Sequence, residues 1–153
     1  MSVSFDGITP DNLPTNSRQV FDANYIVSRA LTASASTVYS ASLDMGDVVS
    51  GLPYATTETI NALIVAPAVN ATMAPDTRTF TYSIQDSADN SSFANIANLA
   101  TTVQTGASSA GAAAVTTTHK LPPNTRRYIR LAVIGGASTG DASGVTAYLK
   151  IAF

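Results

Sequence analysis

"RRYIRLAVIGGASTGDASGVTAYLKIAF", residues 126–153, is the stretch that decides the fold. Two apolar runs flank a loop of Gly, Ser, Thr, Ala and Asp. In the second run Val145, Ala147, Leu149, Ile151 and Phe153 point one way, while Thr146, Tyr148, Lys150 and Ala152 point the other. In the first, Ile129, Leu131 and Val133 oppose Tyr128, Arg130 and Ala132. A period of two puts alternate side chains on opposite faces of a strand, with one face in a core. Such strands need neighbours, so the end of the chain is expected inside a sheet, with Phe153 helping to seal the core.

The same pattern recurs upstream. "VFDANYIVSRAL" (20–31) is followed by "STVYSASLDMG" (36–46), where Val38, Ser40 and Ser42 alternate against Tyr39, Ala41 and Leu43. "TINALIVAPAV" (59–69) is an apolar run broken at Pro67, suited to a strand covered on both faces. In "TRTFTYSIQDSADNSSF" (77–93), Phe80, Tyr82 and Ile84 share one face, with Thr79, Thr81, Ser83 and Gln85 on the other. The run stops at the turn signal "DSADNSS". "SFANIANLATT" (92–102) leaves a short helix open, although its apolar positions fit a 3.6 period poorly. The Gly/Ala/Ser stretch at 106–114 reads as a loop.

About eight strands separated by turn clusters suit an all-β, two-sheet sandwich or jelly roll. Residues 1–20, with Gly7, Pro10 and Pro14 and little periodicity, read as an extended N-terminal arm. Residues 21–153 then form one sandwich domain.

Composition narrows the function. Only 12% of residues are charged and the formal net charge is −2. Nine of the ten acids are Asp, a turn and cap residue, and Glu58 is the tenth. Ala, Ser and Thr make up about two-fifths of the chain, so its polar surface is mostly hydroxyl. With two Lys and Arg126-Arg127 as the only adjacent basic pair, the Lys/Arg stripe of a nucleic-acid binder is missing. An anionic membrane surface is disfavoured for the same reason. No apolar run approaches the roughly 20 residues that span a bilayer, and the start shows no secretory signal pattern. Zero Cys excludes thiol chemistry and cysteine-ligated metals.

No catalytic constellation emerges, and no cofactor is expected. His119, the single His, lies at a strand end beside Pro122-Pro123 and reads as a surface or turn residue rather than a catalytic one. Asp86, Asp89 and Asn90 are the best oxygen-rich cluster for Ca²⁺, but they lack the EF-hand Gly and closing Glu and suit Asx-turns better. Asp44 and Asp47 flank Gly46 as in an ordinary tight turn. "GGASTG" (135–140) lacks a phosphate-loop Lys. Arg127 and Arg130 stand with Tyr128 on one strand. An Arg–Tyr face can anchor a protein interface, or its Arg can pair with a nearby Asp.

Three segments together carry a family likeness: "TASASTVYSASLDMG" (32–46), "TYSIQDSADNSSF" (81–93) and "LPPNTRRYIRLAVIGGASTGDASGVTAYLKIAF" (121–153). In that order the chain resembles the small capsid cement, or decoration, proteins of tailed bacteriophages with a jelly-roll fold, over most of residues 28–153. The resemblance implies a structural virion protein on the outer surface of an icosahedral capsid. It implies a homodimer or homotrimer that bridges major capsid protein subunits and performs no reaction. Candidate contacts with the capsid or with other copies are Phe5, Ile8 and Leu13 in the arm, and Tyr128 and Arg130. The alternative is a carbohydrate- or receptor-binding sandwich module of a phage particle, which the absence of Trp makes less favoured.

Overall fold

A computed structural model describes residues 21–33, 35–46 and 60–152, and for 21–24 the backbone alone. Ten strands follow one another: β1 (Phe21–Ala30), β2 (Thr37–Tyr39), β3 (Leu43–Asp44), β4 (Asn61–Ala66), β5 (Thr79–Ser87), β6 (Ala94–Asn95), β7 (Thr102–Thr105), β8 (Val115–Lys120), β9 (Tyr128–Gly135) and β10 (Thr146–Ala152). No α-helix occurs among the described residues, so the 92–102 stretch holds β6 and turns instead. The expected arm (1–20), Asp47, Glu58 and Phe153 lie outside the described residues.

Every strand pairing is antiparallel. One sheet runs β1-β10-β4-β8. In the other, β9 and β5 lie side by side, β2 and β3 share the free edge of β9, and β6 and β7 share that of β5. Counting each shared edge as one interrupted strand gives eight, in the orders 1-8-3-6 and 2-7-4-5. First pairs with last, second with seventh, third with sixth and fourth with fifth. That is a long antiparallel hairpin rolled over on itself, the jelly-roll arrangement of two Greek keys.

The core follows from the alternation. Ala62, Ile64, Ala147, Leu149 and Ile151 from the smaller sheet meet Phe80, Tyr82, Ile84, Ile129, Leu131 and Val133 from the larger, all buried. The alternation is interrupted in β1, where the register against β10 shifts between Phe21 and Ile26, and again between β2 and β3. Tyr39 and Leu43 should share a face by spacing, yet Tyr39 is exposed and Leu43 buried. The strand breaks at 40–42, where the buried Ser40 hydroxyl accepts from Leu131 N at 3.0 Å and donates to Ala41 O at 2.7 Å. A side chain thus replaces one rung of the ladder, and the phase flips.

At one end of the sandwich, the loops 67–78, 106–114 and 136–145 pack without intervening side chains. A Cβ on Gly111, whose φ is +73°, would meet Val69 O at 2.1 Å, and one on Gly140 would meet Thr72 O at the same distance. Val69 and Ala112 exchange both backbone hydrogen bonds, at 2.9 and 2.8 Å. Gln104, buried on β7, completes the clamp. Its Oε1 accepts from Tyr82 Oη (2.8 Å), while Nε2 donates to Pro67 O and Ala113 O (2.7 and 2.6 Å). The low-complexity stretch is therefore tied to the core by one amide that satisfies its neighbours.

Candidate functional site

The outer face of the larger sheet gathers the side chains most suited to recognition. Arg130 projects outward from β9 opposite Gln85 on β5, which is opposite Asn95 on β6. Nε and Nη2 of Arg130 both donate to Gln85 Oε1, at 3.0 and 2.8 Å. That fork holds the guanidinium 3.8 Å from the Tyr39 ring centroid and 4.0 Å from that of Phe93. Partial burial pulls the Arg130 pKa below the ordinary guanidinium value. A delocalised, weakly hydrated cation tolerates this between ring faces, whereas an ammonium would not.

The stack roofs the middle of the sheet. Ala132 and Ser83 point outward, yet they keep only 1% and 3% exposure. Ser83 Oγ is within 3.3 Å of Asn95 Oδ1, which also accepts from Gln85 Nε2 at 3.1 Å. Beside the roof runs a row across the sheet, Thr37–Ile134–Thr81–Val103. Tyr39 (42% exposed), Ile134 (38%) and Val103 (51%) are three of the four exposed large hydrophobics among the described residues, and all lie on this face. The fourth, Tyr148, stands on the outer face of the other sheet with Lys150 Nζ 5.9 Å from its ring.

The charges around the face are engaged. Arg127 grips Asp44 with Nε–Oδ1 and Nη2–Oδ2 contacts of 2.8 Å each, and its guanidinium lies 5.2 Å from the Tyr128 ring. The Arg127 fork and the Gly46 amide hold the Asp44 carboxyl below its usual pKa. Asp44 ends β3 and makes the expected turn bond, accepting from Gly46 N at 2.8 Å, while also anchoring the Arg127 pair. Tyr128 and Arg130 share a strand face as expected, but Arg130 is spent inside the molecule.

The oxygen-rich loop divides its carboxylates between two tasks. Asp86 is buried at the end of β5, where Oδ2 accepts from Arg126 N and Oδ1 from Arg126 Nε, both at 2.9 Å. It is a strand residue and not a turn residue, paired with Ile129 on β9 and Ala94 on β6, and Arg126 reaches it from the 121–127 loop. Asp89 Oδ1 accepts from Ser92 N (2.8 Å), Ser91 N (3.0 Å) and Ser87 Oγ (2.7 Å). Those donors, the Ser92 and Ser91 amides first, hold its pKa well below the carboxylate range. Asn90 takes a φ of 58° in the same turn. The described residues contain no group of three or more His, Cys, Asp or Glu placed to hold a metal.

His119 differs from its sequence reading. It is buried, pointing inward from β8 opposite Ala62, with Nε2 3.2 Å from Thr102 Oγ1 on β7 of the other sheet. Desolvation lowers its pKa. Strand β8 continues through Lys120, so His119 falls at an inward position of the alternation rather than in the Pro-Pro turn.

An open hollow of about 670 Å³ lies at the end where the 67–78 and 106–114 loops meet, lined by Val69, Met73, Ala110, Ala112 and Val145 among others. It carries no charged lining residue. Phe5, Ile8 and Leu13 lie outside the described residues. Tyr39, Gln85, Phe93, Ile134 and Val103 were not legible as site residues. Only strand register brings them to one face, although the outward phase of Ile134 in the 128–135 alternation was a local signal.

The fold and this face define an all-β, two-sheet sandwich with jelly-roll strand order and a low-charge outer sheet. No protein-family model matches the chain, and no curated protein matches it either.

Proposed function

We propose that the chain is a capsid cement protein. It binds the outside of an icosahedral phage shell as an oligomer, bridges neighbouring major capsid protein subunits and stabilises the assembled lattice without performing a reaction. One observation carries the reading. The three segments with the family likeness are distant in sequence, yet they supply the neighbouring strands β2/β3, β9 and β5 of the larger sheet, the third adding β10 of the smaller. They also supply every member of the central stack: Tyr39 from the first, Gln85 and Phe93 from the second and Arg130 from the third. An exposed, low-charge face assembled from parts of all three segments supports recognition of a partner through that region. Interface cores are depleted of charge and enriched in aromatics.

A clamp of this kind binds the lattice more tightly than free subunits and stabilises it by mass action. An oligomer touching several subunits gains further from effective concentration. The test is co-sedimentation of the purified protein with expanded empty shells of the parent phage, against pull-down with free capsid subunits. Saturable binding to shells alone is expected, and equal affinity for both rejects the clamp.

The exposed Tyr39 ring beside Gln85 and Asn95 gives the carbohydrate-binding alternative its one favourable feature. Saturable binding on a glycan array, lost in Tyr39→Ala, would move the reading there.

A further inference from the structure

We infer that the β7–β8 margin of the sandwich is built to open locally in acid, with His119 as the trigger. The inference does not depend on the capsid reading and stands if that reading fails.

The margin is an edge of both sheets. Among the described strands β7 pairs only with β5, and β8 only with β4. Their inward side chains are polar. Alternation turns Thr102 and Gln104 inward from β7, opposite Tyr82 and Phe80. It turns Thr117 and His119 inward from β8, opposite Ile64 and Ala62. Val115 is the one apolar side chain that these two strands bring to the inside. Apolar burial is the main cohesive contribution in a core, and this margin has little of it. Polar contacts close it instead. His119 Nε2 lies 3.2 Å from Thr102 Oγ1 across the sheets, and Gln104 Nε2 donates to Pro67 O and Ala113 O. Segments with few buried apolar contacts open at a lower free energy than the rest of a fold. Nothing central depends on this one. With the margin open, β5 stays paired with β9 from Phe80 to Ser87, and β4 with β10 from Asn61 to Val65.

Of the four polar side chains only His119 changes charge near neutral pH. The imidazole is buried between the sheets, and desolvation disfavours its protonated form. No free carboxylate faces it from the described strands packed around it. Strands β4 and β7 carry no titratable side chain. On β5 the inward titratable groups are Tyr82, which donates to Gln104 Oε1, and Asp86. Asp86 lies about 13 Å along the strand from Tyr82, the partner of Thr102, and is held by Arg126. Lys120, next on β8, points outward. An imidazolium inside therefore meets no compensating charge and is solvated only when the margin parts. The open form takes the proton at about 6.5 while the closed form resists it, so falling pH favours opening. Gln104 moves with β7, which releases the 106–114 wall of the apolar hollow in the same event.

The test is amide hydrogen exchange on the full chain at pH of about 7.5 and about 5.5, corrected for intrinsic rates. Protection in β7, β8 and 106–114 should fall about tenfold between the two, the factor set by an open-state pKa of about 6.5. At the lower pH it should lie at least about tenfold below that of β9 and β10 and respond weakly to added urea, as local opening exposes little surface. His119→Gln should remove the pH response. His119→Leu, which puts an apolar side chain at the margin, should also be insensitive to pH and serves if the Gln variant does not fold. Protection in β7 and β8 equal to that of β9 and β10 overturns the inference. So does a pH response that is absent from the wild type or persists in the folded variants.

Discussion

The guanidinium of Arg130 lies 3.8 Å from the centroid of the Tyr39 ring, held there by two hydrogen bonds to Gln85 Oε1. The arrangement needs a planar cation with a rigid fork. Arg130→Lys keeps the charge but loses both, and should cost about 1 kcal/mol of stability by the usual worth of such contacts. Tyr39→Ala should cost about as much, and the double variant less than the sum, because both residues act through one stack. Urea unfolding of the three variants measures the coupling, and strict additivity would show that the rings and the cation do not act together.

Asp86 and Asp44 both pair with Arg, yet their removal should differ. Asp86 is buried and satisfies the backbone amide as well as the side chain of Arg126. Asp86→Ala should cost about 2 kcal/mol, less than breaking a fully buried pair because the Arg126 side chain is still 39% exposed. Asp44→Ala removes a pair with both side chains about half exposed, and its midpoint should scarcely move. Parallel denaturant titrations check the contrast.

Stability should fall with acid in two steps. His119 has a folded-state pKa lowered by burial, so below the unfolded-state value of about 6.5 only the unfolded chain takes the proton. Stability therefore drops as pH falls through the unfolded-state value of about 6.5, and His119→Gln should flatten that segment of a melting-temperature profile. The second step belongs to Asp89 and Asp141, whose folded pKa values are depressed first by backbone amides, and to the exposed Asp44, depressed first by the Arg127 fork. Their contribution is full above about 4 and is lost as pH falls through the folded values. Asp89→Asn should reduce the second step and leave the first.

Loop geometry at the packed end gives two opposite outcomes. Thr77, a β-branched residue, takes a φ of 63°, a conformation that costs it roughly 1–2 kcal/mol and glycine almost nothing. Thr77→Gly should raise stability by up to about 1 kcal/mol after the entropy of the unfolded chain is included. Gly140→Ala should lower it, since the new methyl meets Thr72 O at 2.1 Å. Thermal melts of the pair decide both.

Much of the fold was legible because it is local. Phe80-Tyr82-Ile84, Ile129-Leu131-Val133 and Ala147-Leu149-Ile151 each alternate without interruption, and all three sets are buried. The break at Ser40 was not legible, because the hydroxyl's partner, Leu131 N, is 91 residues away. The role of Arg130 escaped for the same reason: the strand shows that it faces outward but not that Gln85, Tyr39 and Phe93 surround it. Register between strands is set by the whole core, and it decides which polar side chains meet. His119 was misread because the adjacent Pro-Pro turn outweighed its inward phase on β8.

The most direct measurement is an electron-microscopy density map of the intact parent particle. A jelly-roll body on the outer shell, touching more than one capsid subunit, is the predicted result. A mature particle whose outer shell lacks this chain would contradict it.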